Sequence, residues 1–577
     1  MRTRAIATVL LPVALVGLGL SARVVARRAW NALIEYRTPF GLSTPDARAS
    51  APLVPQAVVV LVDGLAFHAS RSMPFLNELR AKGADLECRV GLPSLSLPGR
   101  SVLMTGAWQE VHGQATNFNP RPLPVEHLFL TAKRRGLDTD LAAGSDPQLL
   151  FSPYVDERIV YPRLDKGESR SLERLEAELL WMGESTRTLL RDKAPSLFLM
   201  DFTIADEAGH GWGAASSQYR RAAGAVDDEI RRLAREVDPR RTVLFVTSDH
   251  GHIASGGHGG PEEDVIKVPL VIVGGPVRPG TRGECAQVDV APTVAALLGI
   301  AIPASSQGRP LLDALAISPA QRASVLRAVY EQRSRFVEHY VARVNGRTTP
   351  PAAGVAPGAP LEAELSGLVR KADAAKQQRM AAETTRRLLG LLGVLAALLG
   401  TALAVRAAGI ASPAGQALAV LGGITAAVVY FSLFRVAGLQ YSFSAVNRDE
   451  ALGRFFLTDM ALAVASCTLA TVLVGGWLSR RVGSVPLVDL VRLAFLVTAV
   501  FCALLVLKMA LAYWRHGIFL RWQMPDQFWA FGFYLDTLAV VALGFSAPLM
   551  PLAAWAGAAL GRTLPRAWVP RMAGSKG

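Results

Sequence analysis

The chain has 577 residues, 51% of them hydrophobic and 19% charged, with a formal net charge of +14. A mean hydropathy of +0.29 is too apolar for a purely soluble protein, so a soluble part joined to a membrane part is expected. The basic balance raises nucleic-acid binding, but no RNP, zinc-finger or basic-helix motif is visible; much of the excess is arginine beside apolar segments (Arg480, Arg481, Arg562, Arg566, Arg571), where it signals membrane topology.

Residues 1–28 combine a basic start, MRTR, with the apolar run AIATVLLPVALVGLGLSA, close to the length that spans a bilayer. The small-x-small pattern before Arg23 is poor, which favours a signal anchor over a cleaved signal peptide. Residues 29–54 read as a polar tether. From 55 to 345 short β-branched runs alternate with amphipathic stretches. The runs at 58–62, 196–202, 242–248 and 268–274 read as buried strands of a largely parallel sheet, and stretches such as SMPFLNELRAKG and QYRRAAGAVDDEIRRLAREV read as helices. The expected fold is an α/β sandwich. The segment from Asp313 is helical after Pro319. Residues 346–386 hold a Pro/Ala/Gly linker, TTPPAAGVAPGAP, and a polar helix. Residues 387–562 contain about five apolar spans, the last interrupted by Pro548 and Pro551. Residues 563–577 are a basic tail.

Arginine placement puts this tail in the cytoplasm and the 55–345 domain outside, on the extracytoplasmic side of the plasma (inner) membrane. Two outward loops, 440–455 and 513–529, mix arginine with aromatics; interfacial anchoring or contact with a lipid phosphate would both use that mixture. Asp459, Asp489, Arg492, Lys508 and Asp536 lie in or near the spans, where charge ordinarily faces protein or water. Cys88 and Cys285 fall in the soluble part and Cys467 and Cys502 in apolar segments; all four read as unpaired thiols.

Four short motifs carry the chemistry. They are VVVLVDG with Asp63, DFTIADEAGH with Asp206 and His210, VLFVTSDHGH with Asp249 and His250, and GGHGG with His258. Carboxylates and imidazoles in this number can hold two divalent ions. Asp206, His210 and His258 would serve one ion. Asp63, Asp249 and His250 would serve the other, with the Ser96 hydroxyl of PSLSLPGR bridging. Zinc is expected, with manganese as the alternative. Asp63, Asp206 and Asp249 each lie at or just after the carboxyl end of a predicted strand, where open α/β sheets bind ligands.

These motifs resemble the alkaline phosphatase superfamily from about residue 57 to 310. Within it the likeness is to the type I phosphodiesterase/nucleotide pyrophosphatase group and to the GPI ethanolamine phosphate transferases. The resemblance implies an alkaline-phosphatase-like sandwich and a nucleophile at Ser96, where the pyrophosphatase group usually has threonine; Ser94 is the runner-up. It also implies that Asn117 of HGQATN donates to a phosphoryl oxygen, with Asn119 as the alternative. His252 stands where the family often shows methionine, and no role follows for it. The implied function is a membrane-anchored, exported two-metal phosphodiesterase or phosphatase working through a phosphoseryl intermediate. The alternative is a transferase moving a phosphoethanolamine-type headgroup to a glycan or lipid acceptor. The expected partners are a phosphate ester, a lipid headgroup being one candidate, and the membrane, with no nucleic acid.

Overall fold

The computed structural model describes residues 2–44, 50–161, 171–346, 361–446 and 449–563. The linker 348–360 and the tail with Arg566 and Arg571 lie outside these residues. The soluble part is built on an eight-stranded sheet: β1 (Gln56–Val62), β2 (Ala84–Arg89), β3 (Thr139–Ala143), β4 (Glu157–Val160), β5 (Leu197–Phe202), β6 (Thr242–Thr247), β7 (Lys267–Val273) and β8 (Thr281–Ala286). Their order is β4-β3-β5-β1-β6-β7-β2-β8. Every neighbouring pair is parallel except the two that β7 makes, with β6 and β2.

The β-branched run of β1 explains why it sits at the centre. Side chains alternate across a strand, and here both faces are covered. Val59 and Leu61 join the apolar cluster that includes Leu97, Leu103, Val294 and Leu298. Val58, Val60 and Val62 join the opposite cluster, with Leu175, Met182, Val226 and Ile230. The helix Ser217–Leu233 buries Tyr219, Ala222, Val226, Ile230 and Leu233 along one stripe, and Ser216 Oγ caps it by accepting from Tyr219 N at 3.0 Å.

The first helix, Arg2–Ile34, runs six residues into the stretch read as a tether. Beyond it the chain is packed rather than loose. Phe40 is buried with Phe336, Tyr340 and Val344, and Tyr36 Oη donates to Glu110 O at 3.0 Å. An apolar stretch of this kind is held by burial, which a count of polar residues does not register. The helix Pro319–Val344 starts with a capping box between Ser318 and Gln321.

The helix Leu361–Ala407 is continuous over 47 residues, about 70 Å at 1.5 Å per residue. That is more than twice a hydrocarbon core, so its first half stands outside the bilayer. There Ala375 packs into the Phe40–Tyr340 cluster and Lys376 pairs with Glu110. The helices Pro413–Val436, Asp449–Val482, Leu487–His516 and Gln527–Ser546 come next. A 3₁₀ turn at Ala547–Leu549 then carries Pro548 and leads into Met550–Thr563; proline's missing N–H accounts for the break. Among the described residues six segments are long and apolar enough to cross a membrane, which makes this a multi-pass membrane protein. The N-terminal helix joins them by close backbone approach to Gln527–Ser546, where a Cβ on Gly19 would lie 3.2 Å from Gly544 Cα.

Candidate active site

Strands β5, β1 and β6 are adjacent and parallel at the sheet centre. Their carboxyl ends therefore open on one side, and the chain leaves all three there with acidic residues. Asp63 follows β1. Asp206 and His210 lie on the helix Ile204–Trp212 after β5. Asp249 and His250 follow β6, and the glycine-rich loop that comes next returns His258 to the same point. Ser96 is the first residue of the helix Ser96–Thr105, at the end where backbone N–H groups face outward, and Asn117 lies beside it. All eight residues singled out from the sequence are thus brought into one site.

The hydrogen bonds decide which ring nitrogens are electron-rich. His250 Nδ1 lies 3.1 Å from Gly251 O, and a carbonyl only accepts, so Nδ1 carries the proton and Nε2 presents a lone pair. That lone pair is 3.1 Å from Ser96 Oγ and 3.3 Å from Asp63 Oδ1. His258 Nδ1 likewise faces Ser94 O at 3.2 Å, so its Nε2 presents a lone pair, 3.2 Å from His210 Nε2 and 3.6 Å from Asp206 Oδ1. His210 Nε2 is 3.4 Å from Asp206 Oδ2. The rings of His250 and His258 stack at 3.7 Å.

Two lone-pair clusters lie side by side, and each is what a cation would satisfy. Asp63 Oδ1 is buried with no hydrogen-bond partner. Asp63, Asp249 and His250 offer ligand atoms within 4.8 Å of one another, as do Asp206, His250 and His258. Burial lowers His250 to about 3, so its ring is neutral, the form in which an imidazole could bind a cation. Burial works against the charge on Asp206, but His210, His252 and His258 outweigh it and hold the carboxyl well below its usual range. The donor set fits divalent ions of the zinc type.

Sequence reasoning left three contributors without a role: Arg100, Asp201 and His252. Arg100, one turn after Ser96, is buried. Its Nε and Nη2 donate to Asp201 at 2.7 and 3.0 Å, its Nη1 to Asp249 Oδ2 at 2.8 Å, and its Nη2 also to Asp63 Oδ2. The guanidinium thus holds one oxygen of each of two candidate ligands; Asp63 Oδ1 is left without a hydrogen-bond partner, whereas Asp249 Oδ1 accepts from His250 N at 3.0 Å and Gly64 N at 3.3 Å. Three carboxylates around one guanidinium keep an excess of negative charge. Burial, opposed by Arg100, raises Asp201 to about 6, and burial with the nearby Asp63 pushes Asp249 well above the usual range. The third contributor is His252. Its Nδ1 accepts from Gly257 N at 3.2 Å, so its Nε2–H donates to Asp206 Oδ1 at 2.8 Å. It lies close enough to Asp206 and His210 to be a ligand, but this tautomer makes it a support for Asp206. Only the SLPGR and DHGH motifs could have flagged Arg100 and His252, and neither motif says which carboxylate is the partner.

The two serines differ sharply. Ser94 is 1% exposed and its Oγ donates to Gly260 O at 2.7 Å. Ser96 is half-buried, with its Oγ 3.1 Å from His250 Nε2. Asn117 Oδ1 accepts from Leu97 N at 2.9 Å, which holds the amide beside the loop that carries Ser96. Asn119 is exposed, with φ of 71°. His112 is buried, and burial lowers it to about 3. Its Nδ1 accepts from Gln114 N at 3.1 Å, ordering the loop that carries Asn117.

A family model described as type I phosphodiesterase / nucleotide pyrophosphatase matches residues 57–259. The catalytic subunit of GPI ethanolamine phosphate transferase 3 from Homo sapiens is 26% identical over 353 residues, 52% of this chain and 30% of that protein. GPI ethanolamine phosphate transferase 1 from Emericella nidulans is 24% identical over 277 residues, 40% of this chain and 29% of that protein. The matches thus span less than a third of these curated relatives. Among solved structures, murine ectonucleotide pyrophosphatase / phosphodiesterase 5 in complex with AMP aligns at a TM-score of 0.35 and 14% identity, over 43% of this chain and 96% of that one. A 2-O GAG sulfatase aligns at 0.37 and 16%, over 46% and 74%. The resemblance drawn from the motifs therefore stands: residues 57–259 match the type I phosphodiesterase/nucleotide pyrophosphatase group of the alkaline phosphatase superfamily, with likeness to the GPI ethanolamine phosphate transferases.

Proposed function

We propose that this protein cleaves phosphodiesters through a covalent intermediate on Ser96, with two zinc ions, and that water resolves the intermediate. One observation carries the reading: Ser96 Oγ opens a helix and lies 3.1 Å from His250 Nε2, beside the lone-pair clusters. Asp63, Asp249 and His250 would hold one ion and Asp206, His210 and His258 the other. When bound, the two ions supply charge that favours serine ionisation and stabilises the phosphoryl and leaving oxygens. Ser96 Oγ forms the bond to phosphorus as the opposite P–O ester bond breaks, its proton passing to solvent and the leaving alkoxide taking one from water. The Asn117 side-chain N–H, its Oδ1 held by Leu97 N, bears charge on an equatorial oxygen. Arg100 and His252 do not touch substrate; they fix the aspartates. The site faces the extracytoplasmic side, because the N-terminal helix exports the α/β domain.

A second reading replaces water with an acceptor hydroxyl, giving a transferase of a phosphoethanolamine-type headgroup. It is favoured by the membrane-domain loops on the rim of the site, and by the relatives being GPI ethanolamine phosphate transferases. Purified full-length protein given a headgroup-labelled phospholipid separates the two. Hydrolysis releases soluble headgroup phosphate without any acceptor, whereas transfer requires an acceptor and leaves the label on it. Absence of both products, with metal-loaded protein and several lipid donors, refutes phosphodiester cleavage of lipids.

A further inference from the structure

The glycine-rich loop that carries His258 is enclosed from outside by the membrane domain. Residues 440–446, between the helices Pro413–Val436 and Asp449–Val482, lie directly on it. Ser442 Oγ donates to Glu262 Oε1 at 2.8 Å and Ser444 Oγ to Glu262 Oε2 at 2.6 Å. Ser444 Oγ also accepts from Gly260 N at 3.0 Å. From the next membrane hairpin, Gln527 Nε2 donates to Gly259 O. Four hydrogen bonds thus join the membrane domain to Gly259, Gly260 and Glu262, within four residues of a candidate metal ligand. Ser442 and Ser444 are 6% and 2% exposed, although their loop is polar.

The fit is close enough to exclude side chains. A Cβ on Gly259, whose φ is +108°, would lie 2.8 Å from Phe443 Cβ and 2.9 Å from Leu95 Cδ2. One on Gly260 would lie 2.0 Å from Ser442 Oγ. The loop itself is fixed on its far side. Phe443 packs on Phe531 with ring centroids 4.9 Å apart. Tyr441 Oη accepts from Lys508 Nζ at 2.8 Å, and Lys508 pairs with Asp536 at 2.9 Å. Two of the charged residues noted within the spans, Lys508 and Asp536, thus anchor the loop that reaches the site. On the inner side, Gly259 O accepts from Ser94 N, and Gly260 O accepts from Ser94 Oγ. Ser94 O in turn accepts from His258 Nδ1. The contacts run without a gap from the Lys508–Asp536 pair to a metal-ligand imidazole and to the loop that carries Ser96.

We infer that Ser442, Ser444 and Gln527 of the membrane domain, with Glu262, are positioning residues for His258, so that the membrane domain completes the catalytic centre. The inference rests on the reading of His258 as a metal ligand. A hydroxyl pair gripping both oxygens of one carboxylate sets the loop without adding charge next to the metals. It also brings the bilayer-anchored loops to the rim of the site, which suits a phosphodiester carried in a lipid headgroup.

The test uses full-length protein in detergent and two readouts: turnover of the soluble diester bis(4-nitrophenyl) phosphate, and zinc retention against increasing chelator. The double variant Ser442→Ala/Ser444→Ala removes only two hydroxyls. It is expected to lower kcat by about tenfold or more at nearly unchanged KM and to weaken one of two zinc sites by a similar factor, the scale of outer-shell changes at metal centres. Gln527→Ala, acting from the other hairpin, is expected to move both readouts the same way. Glu262→Gln keeps an acceptor and a donor for the two serines and is expected to retain most of both. A purely architectural contact would lower thermal stability and leave kcat and zinc retention untouched; that result in the double variant and in Gln527→Ala overturns the inference. If wild type binds two zinc ions yet turns over no diester, the proposed function fails, while zinc retention alone still decides the clamp. If wild type binds neither zinc nor manganese, His258 is not a ligand and the inference falls with it.

Discussion

Replacing Arg100 by methionine keeps most of the volume and deletes the charge. The guanidinium makes four hydrogen bonds to Asp63, Asp201 and Asp249, in a place where arginine and carboxylates are almost wholly screened from water. Removing one partner of a buried ion pair costs about 3–5 kcal/mol, because the remaining charges stay buried without compensation. For a domain of this size each kcal/mol moves the midpoint by roughly 2–4 °C, so a fall of roughly 6–20 °C is expected for chelator-treated protein at neutral pH. Saturating zinc should recover part of the loss, since the ions would compensate Asp63 and Asp249. Arg100→Lys keeps the charge without the planar fork and should fall between. Thermal unfolding of the detergent-solubilised protein, followed by tryptophan fluorescence with and without zinc, measures these shifts. A metal-free Arg100→Met midpoint within 2 °C or so of wild type, well under the scale expected for a buried ion pair, would refute the role given to Arg100.

Ser96→Ala should abolish turnover while retaining zinc, and Asn117→Ala should lower kcat by about a hundredfold, the scale of one oxyanion donor; an active Ser96→Ala with an inactive Ser94→Ala would reverse the choice of serine. His252→Leu removes the N–H that holds Asp206 and should weaken zinc binding about 10–100-fold, read by chelator competition. Away from the candidate metal site, burial raises Asp140 to about 6. An acid with its folded pKa raised stabilises the fold below its unfolded pKa, and this is lost as pH climbs through 6. Asp140→Asn should therefore raise the thermal midpoint at pH 7.5 and leave it nearly unchanged at pH 4; a gain of equal size at both would show that ionisation is not the cause.

The central strands were legible because runs such as VVVLV bury both faces. The strands β2, β3, β4 and β8 were not, since ADLECR, TDLAA, ERIV and TRGECA are short and mostly mix charges or glycine with apolar residues. The reversed direction of β7 was hidden for a different reason: a strand buried on both faces reads alike in either orientation. Cys88 and Cys285 face each other in register on β2 and β8 as free thiols. At the site, the convergence of the candidate ligands was legible because each follows a recognisable strand within a few residues, as Asp206 and His210 do on the helix after β5, or sits in a glycine-rich motif. The partners of Arg100 were not, because Asp201 looks like part of an apolar strand and the pairing spans 101 residues. The Glu262–Ser442 contact crosses 180 residues and joins two domains. Read alone, the linker suggests that the part before residue 346 is self-sufficient. The contacts at Gly259, Gly260 and Glu262 argue instead that a fragment ending there folds but has an under-supported His258.

The covalent step at Ser96 is the centre of this mechanism, and the most direct measurement is to trap it. Zinc-loaded protein is mixed with a phosphodiester substrate, quenched in acid within a turnover, digested, and its peptides weighed by mass spectrometry. A phosphoryl adduct is expected on the peptide containing Ser96, localised to that serine, formed at least as fast as product and absent from Ser96→Ala. Steady product formation with no adduct at Ser96 at any quench time, or an adduct on another residue, would contradict the mechanism.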